Sequence, residues 1–252
     1  MSRKQLIAGN WKMFKTGAEA GQAAQKLADL AAGIREPEIM IAPAFPSLPI
    51  VAKALEGSGI KTGAQNLFHE NEGAYTGEVS GPMIRDAGAS YVIIGHSERR
   101  QYFMETDVHV NKKIRSAFQA GLTPVMCIGE SETERDEKKT FSVLDKQVSN
   151  GLKDFRSDEI EGLVVAYEPV WAIGTGKTAT TDQVQEVHGY VRSLIAGLFG
   201  NFLASGTRIL YGGSVKPDNI RSLMELKDVD GALVGGASLD PEKFIKIVQN
   251  IG

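Results

Sequence analysis

The stretch LIAGNWK, residues 6–12, decides between the two ways a chain of this kind can fold. It starts as a short apolar run and leaves it through Gly9-Asn10-Trp11-Lys12. An open, doubly wound sheet that binds a dinucleotide places a Gly-x-Gly-x-x-Gly turn after its first strand. Here that turn carries an amide, an indole and an ammonium after a single glycine. Seven more β-rich runs follow: Ile39–Pro43, Ile60–Gln65, Tyr91–His96, Pro124–Gly129, Leu163–Glu168, Arg208–Gly213 and Ala232–Gly236. Several are continuously apolar, as in Val92-Ile93-Ile94 and Leu163-Val164-Val165, which suits strands covered on both faces. Helical spacing fills the gaps, at Ala18–Leu30, Val108–Ala120, Phe141–Leu152 and Val184–Leu198. Thr181-Asp182 and Asp240-Pro241 read as helix starts, and Ser97 reads as the cap of another.

Eight strands alternating with helices in 252 residues predict an α/β fold: a closed eight-stranded parallel barrel with outer helices, a (β/α)8 barrel forming a single domain over residues 1–252. No Pro/Gly/Ser-rich linker divides the chain. The weakest strand is Ile60–Gln65, and the stretch after it, Asn66–Pro82, is too polar and glycine-rich for an ordinary helix.

Composition narrows the partners. With 42% hydrophobic and 23% charged residues the chain has a core to bury, so disorder is excluded. The 28 glycines follow no three-residue period, which excludes collagen. Net charge is −3 and basic residues are scattered, so no nucleic-acid-binding stripe is expected. No apolar run reaches the ~20 residues of a membrane span, and no apolar signal region follows Met1. A single cysteine, Cys127, rules out an intrachain disulfide and suits a reducing, cytoplasmic setting. It reads as structural, since no catalytic-thiol motif surrounds it. Four histidines, His69, His96, His109 and His188, lack metal-ligand spacing, so no metal is expected. The charge run Glu130–Lys139 reads as a solvated face.

Barrel active sites form at the C-terminal strand ends. Those ends supply Asn10 and Lys12, His96, Cys127, Glu168, Gly212-Gly213-Ser214 and Gly235-Gly236. Glu168 is either a solvated strand-end carboxylate or, drawn partly out of water, a general base with a raised pKa. His96 sits at a helix N-terminus, where the dipole disfavours its charged form; a neutral ring can donate to a carbonyl oxygen. The alternative is a structural histidine paired with backbone. Lys12 can neutralise an oxyanion or a phosphate, or form a Schiff base. The two glycine pairs fit a phosphate site with bare N–H groups, or turn geometry alone. Ile173–Thr178 fails as a P-loop because Trp171 stands where glycine is needed, and its fit to a dinucleotide fingerprint lacks the strand–turn–helix setting. It reads as a loop whose closure excludes water.

The motifs AGNWKM (8–13), GAQN (63–66), AYTGEVS (74–80), IGHSERR (94–100), CIGE (127–130), YEPVWAIGTGKTAT (167–180), YGGSVKPDN (211–219) and GALVGGASL (231–239) resemble, in this order and spacing, the triosephosphate isomerase family. The resemblance implies the TIM-barrel fold and a cofactor-free aldose–ketose isomerase acting on a phosphorylated triose. Glu168 would be the base and His96 the neutral electrophile; Lys12 would stabilise the enediolate and Asn10 line the site. Phosphate would be held at Gly174, Ser214, Gly235 and Gly236. The lid would comprise Pro169, Val170, Trp171, Ala172, Ile173, Gly174, Thr175, Gly176, Lys177, Thr178 and Ala179. The resemblance also implies a homodimer, in which the loop 65–79 interdigitates and Thr76 enters the neighbouring subunit near Asn10, Lys12 and Glu98; Gln65, Thr76 and Glu98 would belong to that interface. Thr181, where many relatives have proline, is a minor departure. A Schiff-base aldolase working through Lys12 and a barrel used only as a scaffold are the competing readings.

Overall fold

Eight short strands account for the apolar runs: β1 (Leu6–Asn10), β2 (Glu38–Ala42), β3 (Lys61–Ala64), β4 (Tyr91–Ile94), β5 (Thr123–Ile128), β6 (Val164–Tyr167), β7 (Arg208–Tyr211) and β8 (Gly231–Val234). In the computed structural model, which describes residues 3–172 and 178–251, they pair in sequence order as a closed parallel barrel. Leu6 pairs with Glu38 on one side and with Gly231 on the other, so β1 closes the ring. The two-residue strand period sorts each run between two apolar surroundings. Leu6, Ala8, Met40, Ala42, Ile93, Val125, Cys127, Val164, Ala166, Leu210 and Leu233 fill the barrel. Their neighbours Ile7, Ile41, Val92, Val165 and Ile209 face the helices. Both faces are dry, which is why the runs show little alternation.

The lower end of the barrel is closed by polar side chains. Tyr91 donates its hydroxyl to Glu38, and Arg208 donates to Tyr91 at 3.0 Å. Burial pushes the Tyr91 phenol up, so it stays a donor.

The predicted helices are present, with starts moved by their caps. Thr106 caps Asp107–Gln119. Thr180, one residue before the expected Thr181-Asp182, caps Thr181–Phe199: its hydroxyl accepts from Gln183 N–H, and the Gln183 side chain accepts from Thr180 N–H. Asp240 caps Pro241–Gln249 as expected, accepting from the backbone N–H of Glu242 at 2.9 Å. β3 is real though short. Between Asn66 and Ser80 there is no helix; a single bridge joins Phe68 to Ser80, and residues 71–78 are exposed. Among the described residues no helix is long and apolar enough to cross a membrane.

Barrel closure leaves no room at Gly231. Its φ is +150°, and an added Cβ would stand 1.9 Å from the Leu6 carbonyl oxygen across the closing seam. Gly231→Ala should therefore be strongly destabilised in urea unfolding. Gly197→Ala, in a helix with nothing within 4 Å of the new methyl, should gain about 0.5–1 kcal/mol. Equal stabilities for the two variants would contradict this account of the seam.

Candidate active site

β1 ends at Asn10, and the chain then turns through Lys12 with φ +51°, a left-handed conformation that costs a non-glycine residue energy. Local bonds hold it there. Asn10 Oδ1 accepts from Lys12 N–H at 3.0 Å. From the end of β3, the Gln65 amide donates to the Lys12 carbonyl at 2.7 Å and to that of Ala42 at 2.9 Å. Lys12 Nζ reaches Glu98 at 2.5 Å, so this ammonium is ion-paired. Gln65 and Glu98, expected at a subunit interface, thus support Lys12 within this chain; Thr76 is exposed.

β4 leads to His96, which itself caps the helix Ser97–Tyr102 by accepting from Glu98 N–H at Nδ1, 3.3 Å away. This corrects the assignment of the cap to Ser97. The bond also sets the tautomer: Nδ1 is an acceptor, so Nε2 carries the proton. Nε2 points at Glu168 Oε1 over 3.0 Å.

Glu168 follows β6 and is only 2% exposed. Besides His96 it accepts from Ser97 N–H at 2.9 Å and from the Ser97 hydroxyl at 3.2 Å. Burial alone would raise its carboxyl, as the sequence suggests, but the His96 ring and the Ser97 bonds outweigh burial and hold it below the usual range. For His96, burial favours the neutral ring, yet the Glu168 and Glu98 carboxylates raise its proton affinity. The helix N-terminus is therefore not the dominant influence on the ring. A second proton would have to displace the Glu98 N–H from Nδ1, so this hydrogen-bond arrangement is that of the neutral ring, set against carboxylates that raise its proton affinity.

Asn10, Lys12, His96, Glu168, Ser214 and Gly235 line one cavity of about 290 Å3, together with Gly212, Gly213 and Gly236. The strand-end residues singled out in the sequence thus converge, Cys127 excepted. Cys127 lies buried inside the barrel, its thiol pushed up by burial and by the nearby Glu168 charge. Ile173, Gly174, Thr175, Gly176 and Lys177, expected in the lid and at the phosphate, lie outside the described residues. The rest of the expected lid, Pro169–Ala172 and Thr178–Ala179, flanks them.

Sequence reading missed several contributors. Ser97, taken for a cap, is the main hydrogen-bonding partner of the Glu168 carboxylate. Glu130, placed in a solvated charge run, is fully buried. Its Oε1 accepts from Tyr167 at 3.1 Å, Trp171 at 3.0 Å and Arg135 at 3.0 Å. Gly212, taken for a phosphate turn, lies against Glu168. A Cβ there would come within 2.9 Å of Glu168 Cγ, and one at Gly129 within 1.8 Å of the Glu168 carbonyl oxygen. Lys216 and Lys243 also line the cavity. A signal existed for Ser97 and Glu130, which sit inside the quoted motifs, but nothing in residue type separates them from surface polars.

Comparison with known proteins agrees with this geometry. A profile of the triosephosphate isomerase family matches residues 5–251. A triosephosphate isomerase from Citrifermentans bemidjiense is 55% identical over 247 residues, covering 98% of each chain. One from Dictyoglomus thermophilum is 49% identical, over 98% of this chain and 100% of its own. The crystal structure of triosephosphate isomerase from Bartonella henselae superposes with a TM-score of 0.88 at 38% identity, covering 98% of both chains. On matches that span nearly its whole length, the chain belongs to the triosephosphate isomerase family.

Proposed function

We propose that this chain interconverts D-glyceraldehyde 3-phosphate and dihydroxyacetone phosphate at its barrel mouth, with Glu168 as the base and His96 as the electrophile. The chain is an isomerase by family, and triose phosphates are the substrates of that family in glycolysis. Gluconeogenesis uses the same equilibrium in reverse. The observation that carries the residue assignment is the 3.0 Å approach of His96 Nε2–H to Glu168 Oε1, inside the cavity that also holds Lys12.

That contact leaves no space for a substrate atom, since reacting atoms need roughly 3–3.5 Å on each side. A bound triose must part the pair. Parting removes the ring and the hydrogen bonds that hold the Glu168 carboxyl low, while burial, which raises it, persists. The carboxylate thus becomes more basic as a substrate C–H comes against it. His96 loses the facing negative charge, stays neutral and can turn Nε2–H to the substrate carbonyl oxygen. Glu168 takes the proton from the carbon beside the carbonyl, and the C–H electron pair passes into an enediolate. The same carboxyl then returns the proton to the adjacent carbon, while His96 Nε2 gives its proton to the former carbonyl oxygen and takes that of the neighbouring hydroxyl, so that carbonyl and hydroxyl exchange places. Charge on the enediolate oxygens meets the Lys12 ammonium and the His96 N–H. Asn10 orients the Lys12 turn, and no cofactor enters any of these steps.

Ser214, Gly235 and Gly236, with Gly174, form the phosphate site in this reading, close to Lys12; the Lys12 Nζ lies 3.8 Å from where a Gly235 Cβ would be. The lid at Pro169–Ala179 belongs to the same proposal. Lys12 as a Schiff-base residue gains no support, because its ammonium is already ion-paired with Glu98.

The chain acts as a single-domain homodimer in this reading. Beside Lys12 opens a cavity of about 370 Å3 lined by Met13, Phe45, Gln65, Glu98 and Phe103. Met13 is 93% and Phe103 66% exposed, an apolar rim suited to a second copy's 65–79 loop carrying Thr76. A cytoplasmic location fits the lone buried thiol.

Glu168→Gln should lower kcat by about 10²–10⁴-fold while inorganic phosphate still competes with substrate as in the parent enzyme. Unchanged turnover in a coupled assay removes the assigned base. The lowered Glu168 carboxyl has a linked effect on stability. The stabilisation from its ionised form is complete above the ordinary value of 4.5 and is lost as pH falls through the folded value. The stability difference between parent and Glu168→Gln should therefore shrink as pH falls below 4.5, and again as pH rises above 6.5, where the proton affinity that Glu168 lends His96 no longer contributes. In sedimentation velocity the active species should run as a dimer; a fully active monomer would refute the dimer.

A further inference from the structure

Gln147 stands half-buried on the helix Thr140–Gly151 and reaches the exit of β5 with both ends of its amide. Its Oε1 accepts from Gly129 N–H at 2.7 Å, and its Nε2 donates to the Gly129 carbonyl at 3.0 Å. β5 ends at Ile128, so both of these backbone groups belong to the first residue beyond the strand. Two bonds from one planar amide fix the tilt of that residue as well as its place.

Glu168 hangs from the other side of the same stretch. The Gly129 N–H and the Ile128 carbonyl belong to one peptide unit, which is planar and rigid. That carbonyl accepts from Glu168 N–H at 2.7 Å. Gln147 and the Glu168 backbone therefore hold opposite ends of one plane. The Glu168 carbonyl in turn lies so close to Gly129 that an added Cβ would stand 1.8 Å from it. The Glu130 carbonyl accepts from Val170 N–H at 3.1 Å, and the Glu130 carboxylate holds Tyr167 and Trp171. The chain around Glu168 thus rests on residues 128–130, and Gln147 grips their backbone from the helix layer. In the resting geometry the carboxylate has anchors of its own in His96 and Ser97. A substrate that parts it from them leaves the main chain to set where it points.

We propose that Gln147 is a positioning residue for Glu168: through the Ile128–Gly129 peptide it holds the main chain from which the carboxylate reaches the substrate. The proposal rests on Glu168 being the base. Gln147→Met keeps the length of the side chain and removes both bonds. It should lower kcat by about tenfold, since a displacement of a fraction of an ångström is felt at a reacting centre. KM and competition by inorganic phosphate should stay as in the parent. In a Glu168→Gln background the same change should cost less than about twofold, because the carboxylate it positions is gone. Asn111→Leu is the control. Asn111 donates to the carbonyls of Gly151 and Lys153 at 3.1 and 2.9 Å, pinning the far end of the same helix without touching Gly129. Its loss should lower the urea midpoint and leave kcat alone.

If Gln147→Met does not fold, Gln147→Glu decides. Its carboxylate can accept from Gly129 N–H but has no proton for the Gly129 carbonyl, and protonation supplies one. Its kcat relative to the parent should therefore climb as pH falls toward ~4.3, the usual carboxyl value. Parental kcat in Gln147→Met, an equal loss in both Glu168 backgrounds, a flat ratio in Gln147→Glu, or a matching loss in Asn111→Leu overturns the proposal. Full turnover in Glu168→Gln would instead overturn the assignment of the base, whatever Gln147→Met does.

Discussion

The buried charge of Glu168 sets the terms for everything around it. Removing a carboxylate from water costs several kcal/mol even after the surroundings relax. The structure offsets that cost with three donors: Ser97 N–H, the Ser97 hydroxyl and His96 Nε2–H. Hydrogen bonds to a charged group contribute about 1.5–3 kcal/mol each, so the two sides are of similar size. All three donors come from the turn after β4, two strands away from β6 in the barrel. Their distance from Glu168 is therefore a property of the closed ring, and the seam between β1 and β8 matters to a carboxylate on the far side of it.

That turn is itself held by buried charge. Gly95, at φ +74°, donates its N–H to Glu105 at 2.9 Å. Glu105 in turn accepts from Arg99 at 2.7 Å and from Lys113 at 2.6 Å, and Lys113 also donates to Asn66 at 2.7 Å. Burial would raise the Glu105 carboxyl, but the Lys113 and Arg99 cations outweigh it and hold it low. The exit of β3, the exit of β4 and the helix Asp107–Gln119 are tied through one carboxylate. A network of this kind adds little to global stability on its own. What it supplies is position, because removing any member strands a charge in the interior.

How much of this was legible follows from what each residue's chemistry depends on. The strands were readable because two dry faces demand apolar residues at every position, and a swap of barrel face does not change that demand. The converging Asn10, Lys12, His96, Glu168 and glycine turns were readable because a parallel barrel puts all strand ends at one mouth. Ser97 and Glu130 were not. A serine at a helix start caps more often than it binds a carboxylate, and here His96 had taken the cap. Glu130 opens a run of nine polar neighbours, and only the fold turns it under Tyr167 and Trp171. The pKa of Glu168 escaped for the same reason: its direction depends on partners distant in sequence, and burial alone has the opposite sign.

The strand period carries on past the last ladder bond, and this separates the candidate site from its support. In β6, Val164 and Ala166 point into the barrel while Val165 and Tyr167 point to the helices. One more step sends Glu168 inward to the mouth. In β7, Leu210 points in and Tyr211 out, so the next residue, Gly212, lies beside Glu168 Cγ. Each strand therefore delivers an outward tyrosine and an inward functional position in consecutive residues. The outward pair can be adjusted from the helix layer without placing anything in the cavity at the barrel mouth. A single insertion in either strand end would exchange the two faces, burying a carboxylate among the helices and sending a phenol into the mouth.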